Sequence, residues 1–215
     1  MRNPDLARPA VLRVDGLRFG YSGTDLFKDF SADIPPGVTW VGGDESTGKT
    51  TLLRLLAGEL SPKKGALRVN GIALAEKQQT YRNQVFWVDP RTSVLDALTP
   101  QAYWGEVCRQ YPAFVDALLA DLVDGFALAP HRDKAFFMLS TGTKRKVFLA
   151  AAFASGATVT LLDEPFAALD KTSIALVLEL LQEAALHPGR AWVVADYLAP
   201  RGVALAATVA LGQRY

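Results

Sequence analysis

Short hydrophobic runs, separated by Gly, Pro and Asp, dominate the first third of the chain. The runs at 11–14, 26–34 and 38–41 predict β-strands. The segment 65–74 places an Asn-Gly dipeptide between two further short runs, which is the pattern of a β-hairpin. The N-terminal region is therefore predicted to be largely β structure.

A helix is predicted after the strand at 38–41. That strand leads into Gly42 and Gly43, and from Thr51 the apolar residues recur with helical spacing. Gly58 follows the last apolar turn and is predicted to cap the C-terminus of this helix. A glycine-containing segment thus connects a strand to a helix.

The second half alternates between strands and helices. Strands are predicted at 85–88, 158–165 and 191–196, and helices at 94–125 with a break near Pro112, at 143–154 and at 173–186. This alternation predicts an α/β fold with a mostly parallel central sheet. The 215 residues are interpreted as one domain, 1–215, with a helical lobe inserted at about 90–145.

Composition narrows the class of protein. Half of the residues are hydrophobic and 21% are charged, with a net charge of +1, so nucleic acid is not expected as a partner. The single cysteine, Cys108, fits a reducing compartment, and the N-terminus lacks the apolar core of a secretion signal. The most apolar segment, 147–162, is too short to span a bilayer and is interpreted as a buried helix and strand.

The glycine-containing segment between the strand at 38–41 and the following helix matches every position of the phosphate-binding loop motif, from Gly43 to Thr50. Its glycines allow backbone N–H groups to surround a β-phosphate, its lysine supplies a positive charge, and the following threonine can ligate Mg²⁺. A glycine-rich turn before a helix is the alternative. The predicted nucleotide-binding residues are Gly43, Asp44, Glu45, Ser46, Thr47, Gly48, Lys49, Thr50 and Thr51.

Two further motifs carry candidate chemistry. Asp163 ends a predicted buried strand and can bind Mg²⁺, while Glu164 can act as general base toward water. Ser140 and Gly142 begin a predicted helix and can offer a hydroxyl and N–H groups to a phosphate. An ordinary strand end and a simple N-cap are the respective alternatives.

These motifs, in this order, resemble the ATP-binding cassette (ABC) ATPases. The resemblance implies a P-loop NTPase fold with an N-terminal antiparallel β subdomain and a head-to-tail dimer that closes on ATP. Ser140 and Gly142 would then contact the ATP of the other subunit, and Asp170 would lie in the dimer-contact loop. Tyr21 occupies a position where the family often stacks an aromatic ring on adenine, although a core or surface aromatic is an equal alternative.

The sequence departs from the family pattern at several positions. Residues 44–47 differ from the usual loop, and Thr141 and Thr143 replace Gly and Gln of the signature. Asp89 stands where the family places a Gln that senses Mg²⁺, so Asp89 is a further candidate metal ligand.

The second important departure is Asp196, at the position of the family's γ-phosphate-contacting His. An acid a few ångströms from that phosphate would be repelled by about 4 kcal/mol at an effective dielectric constant near 20. Losing a transition-state contact costs about 10²- to 10³-fold in rate. ATP binding is expected to survive, because the loop, Lys49, Thr50 and Asp163 remain.

Three functions follow from the resemblance. The first is an ATPase that uses ATP and Mg²⁺, dimerises with itself or a related cassette, and powers an integral membrane transporter subunit from the cytoplasmic, inner face of the membrane. The second is a degenerate cassette that binds ATP and dimerises with little hydrolysis. The third, a soluble ABC ATPase acting on DNA or ribosomes, is disfavoured because the chain has neither long coiled coils nor a second cassette. The compact layout is similar to the cassette of cytochrome c maturation exporters, and no cargo is assigned.

Overall fold

The computed structural model describes residues 9–21 and 24–212. In chain order the strands are β1 (Leu12–Tyr21), β2 (Thr24–Ile34), β3 (Gly37–Gly42), β4 (Lys64–Val69), β5 (Ile72–Ala73), β6 (Val85–Phe86), β7 (Val159–Asp163), β8 (Ala191–Asp196) and β9 (Leu205–Ala210). The α-helices are α1 (Lys49–Leu56), α2 (Gln78–Arg82), α3 (Pro100–Gln110), α4 (Asp116–Gly125), α5 (Thr141–Ala154) and α6 (Lys171–Ala185). Short 3₁₀ turns cover Ala129–His131 and Phe136–Met138.

The strands form two sheets. The N-terminal sheet is antiparallel, in the order β2-β1-β4-β5, and its hairpin turns at Asn70 and Gly71, both of which have positive φ. The second sheet has the order β6-β7-β8-β3-β9, and all of its strand pairs are parallel. The predicted fold class, with a parallel central sheet and an N-terminal antiparallel β region, is confirmed.

The inner strands β3, β7 and β8 are buried on both faces, which explains why they are almost continuously apolar, whereas the edge strand β9 is mostly exposed. One face packs with α1 and the N-terminal sheet in a cluster that includes Val193 and Leu161. The opposite face packs with α5 and α6 in a cluster that includes Val194 and Leu162 and continues to Trp104. Alternate residues of one strand therefore belong to different cores.

Buried side chains in and after α3 tie this segment to a neighbouring helix and to the sheet. The indole N–H of Trp104 on α3 donates to the carbonyl of Val147 on α5 at 3.1 Å. The hydroxyl of Tyr111, just after α3, donates to the carbonyl of Val85 on β6 at 2.8 Å. These bonds join the segment between β6 and α5 to both elements that flank it.

Some boundaries differ from the sequence prediction for local reasons. The helix predicted from residue 94 begins at Pro100, because Thr99 accepts the N–H of Ala102 as an N-cap and proline occupies the first turn. Helix α5 begins at Thr141 rather than at residue 143, because Ser140 is its cap. Helix α2 and strand β9 are not predicted, since both are short and weakly patterned.

Helix α1 ends just before Gly58, as predicted, and side chains of α2 bind the carbonyls at its C-terminus. Gly58 has φ of +74° and donates its N–H to Leu55, as a left-handed residue after a helix does. The hydroxyl of Tyr81 on α2 donates to the Leu56 carbonyl at 2.7 Å, and Arg82 donates to the Gly58 carbonyl at 2.7 Å. Helix α2 therefore satisfies the carbonyls at the end of the helix that carries Lys49.

No helix within residues 9–21 and 24–212 has the length and apolar character needed to cross a membrane.

The hydroxyl of Tyr81 is expected to contribute measurably to stability. Its residue is fully buried, so Tyr81→Phe leaves the Leu56 carbonyl without its partner. Leaving a buried acceptor unsatisfied costs about 1–3 kcal/mol. Urea unfolding should show that loss, whereas the half-exposed control Tyr21→Phe should change the free energy of unfolding by less than about 0.5 kcal/mol. Equal stability of Tyr81→Phe and the wild type would contradict this role.

Candidate functional site

The predicted phosphate loop lies between β3 and α1, at the carboxyl edge of the parallel sheet. A Cβ on Gly43 would lie 2.5 Å from the hydroxyl oxygen of Thr47, so the turn requires glycine there. Gly48 has φ of +99° and directly precedes the first turn of α1. The loop thus leads into a helix N-terminus, whose free N–H groups and dipole favour an anion.

Lys49 is buried and its ammonium group is held against the loop. Its Nζ donates to the carbonyls of Gly43 at 2.5 Å and Asp44 at 2.8 Å. The side chains of Asp44 and Glu45 are exposed, as expected for variable positions of a phosphate loop. Because both carboxylates are exposed, they do not take up the buried position in which the Lys49 ammonium group lies.

Thr50 and Asp163 meet directly beneath the loop. The Thr50 hydroxyl donates to Oδ2 of Asp163 at 2.7 Å, while Oδ1 is buried and has no hydrogen-bond partner among the described residues. Burial raises the pKa of Asp163, and the Thr50 hydrogen bond partly opposes that shift. The hydroxyl and the free carboxylate oxygen fit Mg²⁺, a cation that takes few protein ligands and completes its shell with water and phosphate.

No group of three or more His, Cys, Asp or Glu side chains that could hold a metal ion occurs in the part of the chain that the structure describes. Thr50 and Asp163 offer one oxygen each, so a Mg²⁺ ion held there would need further ligands from water or a bound phosphate. This is the arrangement expected for Mg²⁺ in a nucleotide site and differs from a dedicated protein cage.

Glu164 directly follows β7 and lines the pocket that also contains Lys49 and Thr50. Its φ of +47° is uncommon for a residue other than glycine, and its N–H donates to the carbonyl of Ala195 at 2.8 Å. Arg145 of α5 donates to the carbonyls of Asp163 at 2.9 Å and Glu164 at 2.5 Å. Burial lowers the pKa of Arg145, while the two neighbouring acids favour its charged form. Strained backbone held by surrounding bonds is typical of functional sites.

One pocket of about 390 Å³ brings most of the predicted nucleotide residues together. It is lined by Tyr21, Leu26, Glu45, Ser46, Thr47, Gly48, Lys49, Thr50, Thr51, Arg91, Glu164 and Tyr197. The ring of Tyr21 is half exposed and lies 5.0 Å from that of Phe19 in an edge-to-face arrangement, so one side is free to contact a ligand. Leu26, Arg91 and Tyr197 are additions that the motifs do not predict.

Asp89 and Asp196, the two acids at positions where the sequence differs from the family pattern, make local hydrogen bonds. Asp89 accepts the N–H of Arg91 at 2.9 Å and lines a groove beside the helical segment, and its charge adds to the raised pKa of Asp163. Oδ1 of Asp196 accepts the N–H of Tyr197 at 2.7 Å. Burial is the main cause that raises the pKa of Asp196, and Glu164 adds to it.

Ser140, Gly142 and Asp170 lie outside the pocket, where they organise the starts of two helices. Ser140 accepts the N–H of Thr143 at 3.1 Å and caps α5. A Cβ on Gly142 would lie 2.4 Å from the carbonyl oxygen of Ala168, so glycine is required for the contact between the two loops.

Asp170 caps α6 by accepting the N–H of Ser173 at 2.9 Å, and it pairs with Lys146 of α5. The hydrogen bond from Lys146 is the largest cause that lowers the pKa of Asp170. The loop that contains Asp170 is thereby tied to the helix that follows Ser140. Both histidines lie elsewhere: His131 ends a 3₁₀ turn, and His187 follows α6.

Comparison with known proteins gives the family. Residues 27–167 match the family model described as ABC transporter. The chain is 33% identical over 169 residues to the cytochrome c biogenesis ATP-binding export protein CcmA of Pseudomonas savastanoi pv. phaseolicola, covering 78% of this chain and 79% of that protein. The protein of the same name from Legionella pneumophila is 32% identical, with 80% and 86% covered.

Solved structures of ABC ATP-binding subunits have a similar fold. The ATP-binding subunit of an ABC transporter superposes with a TM-score of 0.79 at 25% identity, covering 88% of this chain and 80% of that one. The dimeric cassette MJ0796, bound to ADP and Pi in a post-hydrolysis state, has a TM-score of 0.72 at 18% identity, covering 87% and 88%, which supports the fold alone. The motifs, the fold and these likenesses agree: the chain belongs to the ABC transporter family, as an ATP-binding subunit.

Proposed function

We propose that this chain hydrolyses ATP, with Mg²⁺, to power a separate membrane transporter subunit. The observation that carries the proposal is the convergence of Lys49, Thr50, Asp163 and Glu164 at one helix N-terminus. Relatives named as ATP-binding export proteins support it, because they share about a third of their residues with this chain along most of its length.

Binding of ATP begins at the phosphate loop. The N–H groups between Gly43 and Gly48 surround the β-phosphate, and the α1 N-terminus adds its dipole. The Lys49 ammonium leaves the carbonyls of Gly43 and Asp44 and pairs with the β- and γ-phosphates. The ring of Tyr21 stacks on the adenine from the rim of the pocket.

Thr50 and Asp163 would hold a Mg²⁺ ion. When bound, the ion neutralises charge that develops on the phosphate oxygens. The hydroxyl oxygen of Thr50 and the free Oδ1 of Asp163 would be the ligand atoms. The hydrogen bond between the two side chains orients both. A charged ligand at Oδ1 also relieves the cost of a buried carboxylate.

Glu164 is the proposed general base. A water oxygen attacks the γ-phosphorus while its proton passes to Glu164, and the bond to the oxygen that bridges the β- and γ-phosphates breaks. The products are ADP and inorganic phosphate. The bonds from Arg145 and to Ala195 fix the backbone of Glu164, so they position this side chain over the pocket.

A second cassette completes the site in this proposal. Ser140 and Gly142 begin α5 and can direct a hydroxyl and free N–H groups toward the ATP of the other subunit. Asp170 lies in the loop that packs against Gly142, so the dimer-contact loop and the signature form one local unit. When the dimer closes on ATP, the signature and the dimer-contact loop are therefore expected to move as one unit.

The membrane subunit is proposed to dock in the groove beside Asp89, at the inner, cytoplasmic face of the membrane. This groove of about 370 Å³ has an apolar floor that includes Phe86 and Val107 and an acidic rim that includes Glu59 and Glu106. Such a surface suits a basic, partly apolar segment of a membrane protein. Because Asp89 lines the groove and Arg91 lines the nucleotide pocket, one turn connects the two sites.

Glu164→Gln should abolish hydrolysis while preserving ATP binding. The substitution removes the base but keeps the shape and the backbone bonds, and loss of a general base costs about 10²- to 10⁴-fold. Phosphate release and ATP affinity are to be measured for the chain alone and with its membrane subunit. Glu179→Gln, at an exposed position on α6, is the matched control and should retain wild-type turnover.

The same experiment distinguishes the enzyme from a degenerate module. Turnover that is measurable in the wild type and the control but lost in Glu164→Gln supports the ATPase. Tight ATP binding with the same negligible turnover in all three proteins would contradict the ATPase and favour the module.

Asp163→Asn should stabilise the nucleotide-free chain and remove its response to Mg²⁺. Because burial raises the pKa of Asp163, ionisation at neutral pH costs more in the folded chain than in the unfolded chain, so the carboxylate destabilises the fold. Scanning calorimetry should show a higher melting temperature for the variant without nucleotide. The added stability that Mg²⁺ gives with ATP, relative to ATP in EDTA, should disappear.

Asp121→Asn, which removes an exposed carboxylate of α4, is the control and should behave as the wild type. A lower melting temperature of nucleotide-free Asp163→Asn, or a retained effect of Mg²⁺, would contradict the assignment.

A further inference from the structure

Tyr197 contacts the lysine of the phosphate loop, although no motif predicts a role for it. The residue directly follows Asp196 at the end of β8, is 47% exposed and lines the nucleotide pocket. The Lys49 Nζ lies 4.1 Å from the centre of the Tyr197 ring. An ammonium group at this distance from an aromatic face is attracted by the ring quadrupole.

This contact completes the surroundings of the ammonium group. Lys49 has three N–H donors. The carbonyls of Gly43 and Asp44 accept from Nζ at 2.5 and 2.8 Å, and the ring of Tyr197 covers a further side. Any phosphate that pairs with Lys49 must therefore replace one or more of these partners.

The backbone that carries the ring is held by bonds from neighbouring strands, so the ring can move only by rotation of its side chain. The indole N–H of Trp40 on β3 donates to the Asp196 carbonyl at 3.1 Å. Oδ1 of Asp196 accepts the N–H of Tyr197, and the preceding residue, Ala195, accepts the N–H of Glu164. The segment that carries Tyr197 is thus held by β3, by the end of β7 and by its own carboxylate.

The ring lines the same pocket as Glu164, the residue proposed to act beside the γ-phosphate. The N–H groups of the loop and of α1 define the β-phosphate side. Asp163, the proposed metal ligand, ends β7, the strand adjacent to β8, and Glu164, the proposed base, follows it directly. Tyr197 directly follows β8, at the same edge of the sheet, and its ring faces the ammonium group of Lys49.

The phenol remains neutral in these surroundings. Burial is the first cause that raises the pKa of the Tyr197 hydroxyl, and Glu45, Glu164 and Asp196 add to it. A neutral ring attracts the ammonium group through its face. Phenylalanine has the same face and would retain the contact.

We propose that Tyr197 sets the preference of this site between ATP and ADP, by covering the side of Lys49 that the γ-phosphate needs. The inference rests on the proposed function, because it assumes that Lys49 binds the phosphates. ADP can bind at the loop while the ring stays in place, whereas ATP must displace it. A ligand that displaces an existing contact loses affinity by the free energy of that contact.

The test is equilibrium binding of ATP and of ADP, in EDTA, to the full chain and its variants. Tyr197→Ala should lower the Kd for ATP about two- to fivefold, as expected from a partly exposed cation–π contact, and leave the Kd for ADP unchanged. Tyr197→Phe should keep the wild-type ratio of the two constants. Leu198→Ala, at the neighbouring residue that is 73% exposed, is the control and should also keep it.

Several results would overturn the inference. These are weaker ATP binding by Tyr197→Ala, no change in that variant, or an equal change for ATP and ADP. A Tyr197→Phe variant that behaves as Tyr197→Ala would assign the effect to the hydroxyl and contradict the role of the ring face. If neither the wild type nor Leu198→Ala binds ATP, the proposed function fails, and this inference fails with it.

Discussion

Strands β3, β7 and β8 run parallel in a register that pairs Gly42 with Asp196 and Asp163 with Ala195. Their carboxyl ends therefore meet at one edge, where the phosphate loop, the metal-binding candidate and the Tyr197 segment come within reach of each other. A shift by one residue would turn every side chain of a strand to the opposite face. Since both faces are buried in separate cores, this register is strongly specified, and so is the site.

The same edge concentrates ionisable groups whose charged forms are disfavoured by burial. The pKa values of Asp163 and Asp196 are raised and that of Arg145 is lowered, in each case with burial as the first cause. Oδ1 of Asp163 and Nε of Arg145 are buried without a hydrogen-bond partner among the described residues. Groups arranged in this way lower the stability of the empty site and interact more strongly with a charged ligand. The fold thus retains unfavourable electrostatics where ATP and Mg²⁺ are proposed to bind.

The main elements and the phosphate loop could be predicted because they depend on local patterns. Apolar runs identify β7 and β8, and the loop motif identifies Lys49 and Thr50 by spacing alone. Arg91 and Tyr197 could not be found in this way, because each reaches the pocket from a turn that only the assembled sheet brings near Lys49. The expected repulsion by Asp196 also depends on geometry, and the structure shows one of its oxygens bonded to its own neighbouring N–H.

In the proposed function, the loop binds ATP through the ammonium group of Lys49. The most direct measurement is the ATP affinity of Lys49→Ala beside Lys77→Ala, which removes an exposed lysine at the start of α2. Loss of a charged hydrogen-bond donor costs about 1.5–3 kcal/mol, so the Kd for ATP should rise about tenfold or more in Lys49→Ala and stay unchanged in the control. An ATP affinity of Lys49→Ala equal to that of the wild type would contradict the account.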